Sequence, residues 1–257
     1  MRKKISALFV LTGIILLALV VFQYHKVNNV YTKLEKQVVE EKAVRKKKEK
    51  VINWKKLQSI NRNIVAWLYI PGTGVDYPVI RAEDNGFYLN HDIYGNRSIY
   101  GSIYFDARYY NMENLDEADN LIIYGHNMGH WNTSMFGKLM KYKEKSYCKK
   151  HEKIFLYTPS SKSEYTITSV ARTTSKNKWY QFMDSQDSEL SLNELKQELN
   201  NEALYDCESK DVNTNKFITL STCDYDGSYR ILVVGERISE KTVQKGEFPK
   251  WNSLRMK

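Results

Sequence analysis

The longest apolar run lies at the N-terminus: ISALFVLTGIILLALVVF, residues 5–22, eighteen positions without a charge. As a helix it would extend about 27 Å at ~1.5 Å per residue, enough for a hydrocarbon core. The pattern then changes. Val27, Val30, Leu34 and Val38, then Val51 and Leu57, recur at helical spacing among dense Lys and Glu, which predicts a charged helical stalk over 27–60. From Asn63 onward, short apolar runs alternate with turn residues. IVAWLYI and VDYPVI flank Pro71-Gly72-Thr73-Gly74, and SIYGSIYFD, NLIIYGH, KIFLYT, EYTITSVART, KFITLSTC and YRILVVGERI follow. Each is predicted as a strand. Two helices interrupt them: a short one over 135–147, and SELSLNELKQELNNEAL over 188–204, opened by Leu190 or Ser191 and striped by Leu192, Leu195 and Leu199. Many short strands with an inserted helix predict a mainly β fold with α decorations, a barrel or a sandwich. The predicted organisation is a cytoplasmic tip and anchor over 1–26, a stalk over 27–60, a catalytic domain over 61–240 and a tail over 241–257.

Composition changes this picture in one respect. The net charge of +9 would suggest an anionic partner, yet eight Lys/Arg against four Glu lie within residues 33–50 alone. The excess describes the tail rather than the fold. With no zinc spacing, glycine-rich phosphate loop or nucleic-acid motif in the remainder, the reading is of no nucleic acid, no metal and no cofactor. Arg2-Lys3-Lys4 leads the apolar run, and FQYHKV after it offers no A-x-A-like cleavage site. The run therefore reads as an uncleaved single-pass anchor. Lys26, Lys33 and Lys36 nearly balance the leading cations, but the charge at the extreme N-terminus favours an extracytoplasmic domain.

The cysteines are Cys148, Cys207 and Cys223, an odd number, so at least one has no intramolecular partner. Spacing alone leaves open whether Cys148 and Cys207 form a disulfide or stay thiols. Cys223 stands at the end of an apolar strand, beside the turn of TLSTCDYDGSYRILVVGE, and Arg230 opens the next strand. A free thiol is mostly protonated at neutral pH, so nucleophilic use needs a base or cation nearby. Of five histidines, His25 adjoins the apolar run and His151 lies in the solvated run CKKHEK. His126 alone ends an apolar strand before a polar turn, as Cys223 does.

IIYGHNM with downstream SMFGKL, then TLSTC and YRILVV, resemble in their chain order the active-site segments of class B sortases. WLYIPGTGVDYPVI and FYLNHDIYGNRSIYGSIYFDARY extend the resemblance over roughly residues 54–238. It implies a closed β-barrel with an N-terminal helix and a helix inserted before the penultimate strand. It also implies a membrane-anchored cysteine transpeptidase, in which Cys223 attacks a C-terminal sorting signal of a secreted protein and forms a thioacyl enzyme. A peptidoglycan precursor or cross-bridge amine then accepts the acyl group. His126 would serve as acid and base and Arg230 would hold the substrate or the oxyanion, with Asn85, Leu89, Trp179, Tyr180 and Ser221 as the implied substrate cradle. The implied signal is an NPxTN-like or PxTG-like pentapeptide.

The main alternative is a secreted cell-wall cysteine peptidase. NlpC/P60-like enzymes place the cysteine at a helix start ahead of the histidine, the reverse of the order here. L,D-transpeptidases carry both residues in one S-H-G-C-like stretch, which is absent.

Overall fold

A computed structural model describes residues 2–44, 47–183, 190–207, 212 and 214–242. The chain divides into two compact units, Met1–Val51 and Ile52–Lys257.

In the first unit, α1 runs Arg2–Val38 and is followed by β1 (Val39–Val44) and β2 (Lys47–Ile52), which form a two-stranded sheet. Val10, Leu11, Ile14, Leu17 and Phe22 of α1 are all exposed, and Val10–Val38 is long and apolar enough to cross a membrane. The segment 27–60, expected to be one helical stalk, is helical to Val38 and again from Trp54 to Ile60, with two strands between. Residues 45–50 explain the break: in a continued helix, Arg45 would stack on Lys48, Lys46 on Lys50 and Lys47 on Lys50, like charges one turn apart.

The second unit opens with α2 (Trp54–Ile60), whose N-cap Asn53 accepts a hydrogen bond from the Lys56 amide. α2 packs against β3 and buries Trp54 and Leu57. Both residues thus belong to this unit, upstream of the expected boundary at 61. The strands are β3 (Ile64–Ile70), β4 (Val75–Ile80), β5 (Tyr104–Phe105), β6 (Asn120–Tyr124), β7 (Lys153–Tyr157), β8 (Ser161–Thr173), β9 (Phe217–Cys223) and β10 (Arg230–Thr242). They close into one barrel in the order β10-β8-β7-β3-β4-β5-β6-β9. Closure leaves no free sheet edge along the barrel. The pairs β4–β5 and β6–β9 are parallel, the others antiparallel.

The helix expected over 135–147 is two pieces. A 3₁₀ segment, Phe136–Lys143, buries Phe136, Leu139, Met140 and Tyr142, and α3 (Lys145–Lys150) follows. The extended backbone of Glu144 between them breaks the α pattern.

α4 spans Leu192–Asn201, inserted before the penultimate strand β9. Ser191 and Glu194 form a reciprocal capping box at its start, and residues 188–189 of the expected helix lie outside the described residues. Leu195 and Leu199 bury against Trp179, Phe182, Phe217, Leu232 and Val234, which fastens the β8–β9 crossover to the barrel.

Candidate active site

β9 ends on Cys223 and β10 begins on Arg230, and the two residues are direct cross-strand partners. Leu232 pairs with Ser221 and Val234 with Thr219, so Cys223, Ser221 and Thr219 share a face with Arg230. The loop 224–229 is braced from outside the hairpin. Asp224, 5% exposed, accepts from Lys143 Nζ at 2.5 Å and from Arg172 Nε at 2.7 Å. Arg172 also reaches Asp226 at 2.6 Å and lies 3.6 Å above the Tyr229 ring. Burial alone would raise the Asp224 pKa, but the bonds from Lys143 and Arg172 hold it below the usual carboxylate value. Gly227 has φ of +73°, which the tight return of this loop requires. Arg230 Nη1 donates to the Gly227 and Tyr229 carbonyls at 2.9 and 3.1 Å, and this fixes the guanidinium over the loop.

His126 arrives from the neighbouring strand. β6 runs parallel to β9 with Tyr124 opposite Ser221, and the Gly125 amide continues the ladder to the Ser221 carbonyl at 3.3 Å. Two residues further on, that register sets His126 beside Cys223. Two bonds hold the mouths together: Thr222 Oγ1 donates to the Gly125 carbonyl at 2.8 Å and Asn127 Nδ2 to the Cys223 carbonyl at 3.0 Å. Gly125 is needed there because a Cβ would stand 2.4 Å from Ile103 Cδ1 and 2.8 Å from Phe136 Cγ. The His126 Nε2 lies 2.7 Å from the Leu89 carbonyl. A carbonyl only accepts, so Nε2 carries the proton in this arrangement.

Tyrosines form the wall of the mouth. Tyr180 OH pairs with Ser221 Oγ at 2.6 Å, and its ring stacks on Tyr124, which in turn tilts against Tyr104. Tyr124 OH donates to Asp106 at 2.8 Å, Asp106 holds Arg108 through two bonds, and Arg108 Nη2 donates to the Tyr180 carbonyl at 2.7 Å. Burial raises Tyr180 to about 12; Ser221 and Arg230 oppose the shift, while Cys223 adds to it. Tyr104 is also raised to about 12 by burial, then by Asp106 and Cys223. Two neutral phenols thus border the thiol.

The residues named from the sequence separate accordingly. Cys223, His126, Arg230, Tyr180 and Ser221 come together, with Ser221 only 2% exposed and occupied by Tyr180. Ser221 positions Tyr180 rather than offering a free hydroxyl. Asn85 Oδ1 accepts the Ala107 amide at 2.8 Å and its carbonyl accepts from Tyr104 OH at 3.1 Å, which ties the 82–90 segment to the tyrosine wall. Leu89 acts on the site through its carbonyl, at His126. Trp179 must be corrected. It is fully buried against Phe182 and Phe217, and its Nε1 donates to Thr219 Oγ1 at 2.8 Å. In the 3₁₀ turn Lys178–Gln181 it points into the core while Tyr180 points to the mouth.

Of the other histidines of this unit, His91 is engaged with Phe87 and His151 with the Pro71 carbonyl, while His130 stacks on Tyr225 of the loop after Cys223. Tyr104, Asp106, Tyr124 and Asn127 lie inside the segments quoted above, and Asp224 directly follows Cys223, yet nothing in the sequence marked their roles at the site. Among the described residues, no cluster of three or more His, Cys, Asp or Glu could hold a metal ion. A cavity of about 550 Å³ beside α4 has none of Cys223, His126 and Arg230 in its lining, so volume does not mark the reactive mouth.

A family model for the sortase domain matches residues 68–238. The chain belongs to the sortase family. It is a class B member, 34% identical over 189 residues to sortase B of Listeria monocytogenes, an alignment covering 72% of this chain and 73% of that protein. The solved sortase B of Clostridium perfringens superposes with a TM-score of 0.62 at 31% identity, covering 72% of this chain and 100% of that one. A Staphylococcus aureus sortase B–substrate complex gives a TM-score of 0.62 at 28% identity, covering 73% of this chain and 86% of that chain. As a class B sortase the chain is a cysteine transpeptidase of sorting signals, and its closed barrel is the fold of those relatives.

Proposed function

We propose that Cys223, His126 and Arg230 carry out the transpeptidation, on a domain held at the outer face of a membrane by α1. The observation that supports this most is the shared mouth of β6, β9 and β10, where parallel and antiparallel registers converge on the three residues. The Cys223 thiolate attacks the scissile carbonyl of a sorting signal, an NPxTN-like or PxTG-like pentapeptide. Arg230, already oriented by the Gly227 and Tyr229 carbonyls, offers its remaining N–H groups to the oxyanion. As the C–N bond breaks, imidazolium His126 gives its proton to the departing amine, and a thioester remains on Cys223. An amine of a peptidoglycan precursor or cross-bridge attacks the thioester. His126 takes the proton of that amine and Cys223 leaves as thiolate.

His126 reaches the leaving amine by releasing the Leu89 carbonyl, so a substrate seated along 85–89 couples binding to acid catalysis. Tyr180, Tyr104 and the exposed Leu89 side chain form the cradle, with Asn85 as its brace. The exposed apolar side chains of α1 support the anchor, and Arg2-Lys3-Lys4 supports an inward N-terminus.

The test is mass spectrometry of the full chain in detergent with a sorting-signal pentapeptide library, with and without an amine acceptor. A thioacyl adduct on Cys223 and an amide product only with the acceptor are expected. Hydrolysis at the same rate with acceptor present would make the protein a peptidase. Cleavage retained by Cys223→Ala would overturn the nucleophile assignment.

A further inference from the structure

Away from the reactive mouth, α4 and three strands enclose a second recess. Lys196, Leu199 and Asn200 stand at i, i+3 and i+4 on α4, so they share one stripe of the helix. On β10, Val234 and Glu236 alternate onto one face, and Phe217 of β9 pairs with Glu236 there. Between β8 and β10 the register slips: Val234 pairs with Ser169 and Gly235 with Ile167, which leaves Thr168 as a bulge. The helix stripe, the bulge and this face of β9 and β10 line the cavity of about 550 Å³ beside α4, a volume in the ~300–1,000 Å³ range of small-molecule sites. Two features make it more than a packing gap. Ser169 is 3% exposed and its Oγ has no hydrogen-bond partner among the described residues, whereas buried hydroxyls are nearly always paired. Glu236 is a buried carboxylate, 7% exposed, that meets Lys196 Nζ at 3.0 Å, and this ammonium lies 5.1 Å from the Phe217 ring centre.

We infer that this recess binds a free α-amino acid with a large apolar side chain. The Lys196–Glu236 pair leaves further donors on the ammonium and further lone pairs on the carboxylate. A ligand ammonium joins Glu236 while the ligand carboxylate joins Lys196, which makes four alternating charges. A ligand with only a cation would meet the Lys196 ammonium uncompensated, and one with only an anion would meet the Glu236 carboxylate. Because the two protein charges are 3.0 Å apart, the matching pair must also sit close together, as on one α-carbon and unlike the separated termini of a peptide. Ser169 contributes a hydroxyl that lacks a partner within the protein. Trp179, Leu199 and Phe217 supply buried apolar wall for the ligand side chain, so small or polar amino acids gain less on binding. None of Cys223, His126 and Arg230 lines the recess, so the inference stands apart from the reaction proposed above.

The experiment is isothermal titration calorimetry on the full chain in detergent with three probes: L-phenylalanine, phenethylamine, which lacks the carboxylate, and 3-phenylpropionate, which lacks the ammonium. L-Phenylalanine should bind with Kd on the order of 1 mM or tighter, and each of the others about ten-fold more weakly or worse, having lost one charge-assisted contact. Glu236→Gln and Lys196→Met should each weaken L-phenylalanine about ten-fold, while Cys223→Ala binds it unchanged. Hydrogen exchange with L-phenylalanine present should show added protection in α4 and around Thr168. Because the three probes are compared on the unmodified protein, a variant that fails to fold does not decide the matter. Phenethylamine or 3-phenylpropionate binding as tightly as L-phenylalanine would overturn recognition by the charge pair. No binding of any probe at about 10 mM, or protection at the reactive mouth instead of α4, would overturn the site itself.

Discussion

The Asn127 side chain donates to the Cys223 carbonyl at 3.0 Å and so binds the strand mouth that carries His126 to the one that carries the thiol. The bond is to backbone, and it fixes where the Cys223 peptide plane lies without touching sulfur. Its partner bond, Thr222 to the Gly125 carbonyl, closes the same seam one residue earlier.

Asn127→Ala should therefore lower kcat about 10–100-fold while KM changes little, because a displacement of about 1 Å between base and nucleophile is enough for that loss. Steady-state kinetics on a sorting peptide check the split. A change confined to KM would show that Asn127 contacts substrate instead.

Loop 224–229 depends on a carboxylate. The Asp224 pKa is held below its usual value, so its contribution is fully present above about pH 4, the ordinary aspartate value, and is lost as the pH falls through the lower folded value. Asp224→Asn should abolish that acid dependence and also cost activity at neutral pH, on the order of 10-fold, because Lys143 and Arg172 lose their anionic partner beside Cys223. Melting temperature against pH, measured on both proteins, is the check. An unchanged acid limb in the variant would assign it to another carboxylate.

Adjacent residues Trp179 and Tyr180 should fail in different ways. Trp179→Ala removes a fully buried indole and leaves Thr219 without its donor, which should cost about 3–5 kcal/mol of stability. Tyr180→Phe keeps the ring but leaves the buried Ser221 hydroxyl without its partner, about 1–3 kcal/mol, at the wall beside Cys223. Urea unfolding should rank Trp179→Ala as the less stable, and kinetics should rank Tyr180→Phe as the one with altered KM. Tyr180 also bears on the alkaline limit. Its pKa is raised to about 12, so its contribution is complete below about pH 10 and is lost as the pH rises through 12. In Tyr180→Phe that part of the alkaline decline should disappear.

How far the sequence was legible follows from how local each signal is. Strand ends are local: Cys223 and His126 each close an apolar run before polar turn residues, whereas the direct pairing of Cys223 with Arg230 depends on a register that the strands alone display. The inserted helix was legible for the same reason, since Ser191 and Glu194 are three residues apart. The inward turn of Trp179 was not, because Trp179 and Tyr180 are both large aromatics, and the sequence says nothing of which faces the α4 core. The tyrosine wall joins Tyr104 and Tyr124, cross-strand partners on β5 and β6, to Tyr180 from the β8–β9 crossover, long-range contacts that no local pattern encodes. The two strands after Val38 were read as helix because Val and Leu at helical spacing continued past the point where like charges stack.

Arg230 and Arg237 give the sharpest contrast. Arg230 pairs with Cys223 and is oriented by two loop carbonyls, whereas Arg237 lies seven residues further along β10, about 23 Å at about 3.3 Å per residue, ion-paired with Glu240 at 3.0 Å and Asp116 at 3.6 Å. Two demands fall on the Arg230 guanidinium at once: holding the Gly227 and Tyr229 carbonyls and presenting further N–H groups to the developing oxyanion. A planar fork of five donors meets both, while an ammonium on a flexible stem that turns to the substrate must release the loop. Arg230→Lys should then lower kcat about 10²–10³-fold with the charge preserved, the loss expected when one oxyanion donor is removed. Arg237→Lys keeps a cation within reach of two carboxylates and should leave kcat within about two-fold, since both ion pairs lie far along β10 from the reactive mouth. Single-turnover acylation separates the two steps. If acylation by Arg230→Lys matched that of the unmodified protein, Arg230 would serve only to shape the loop.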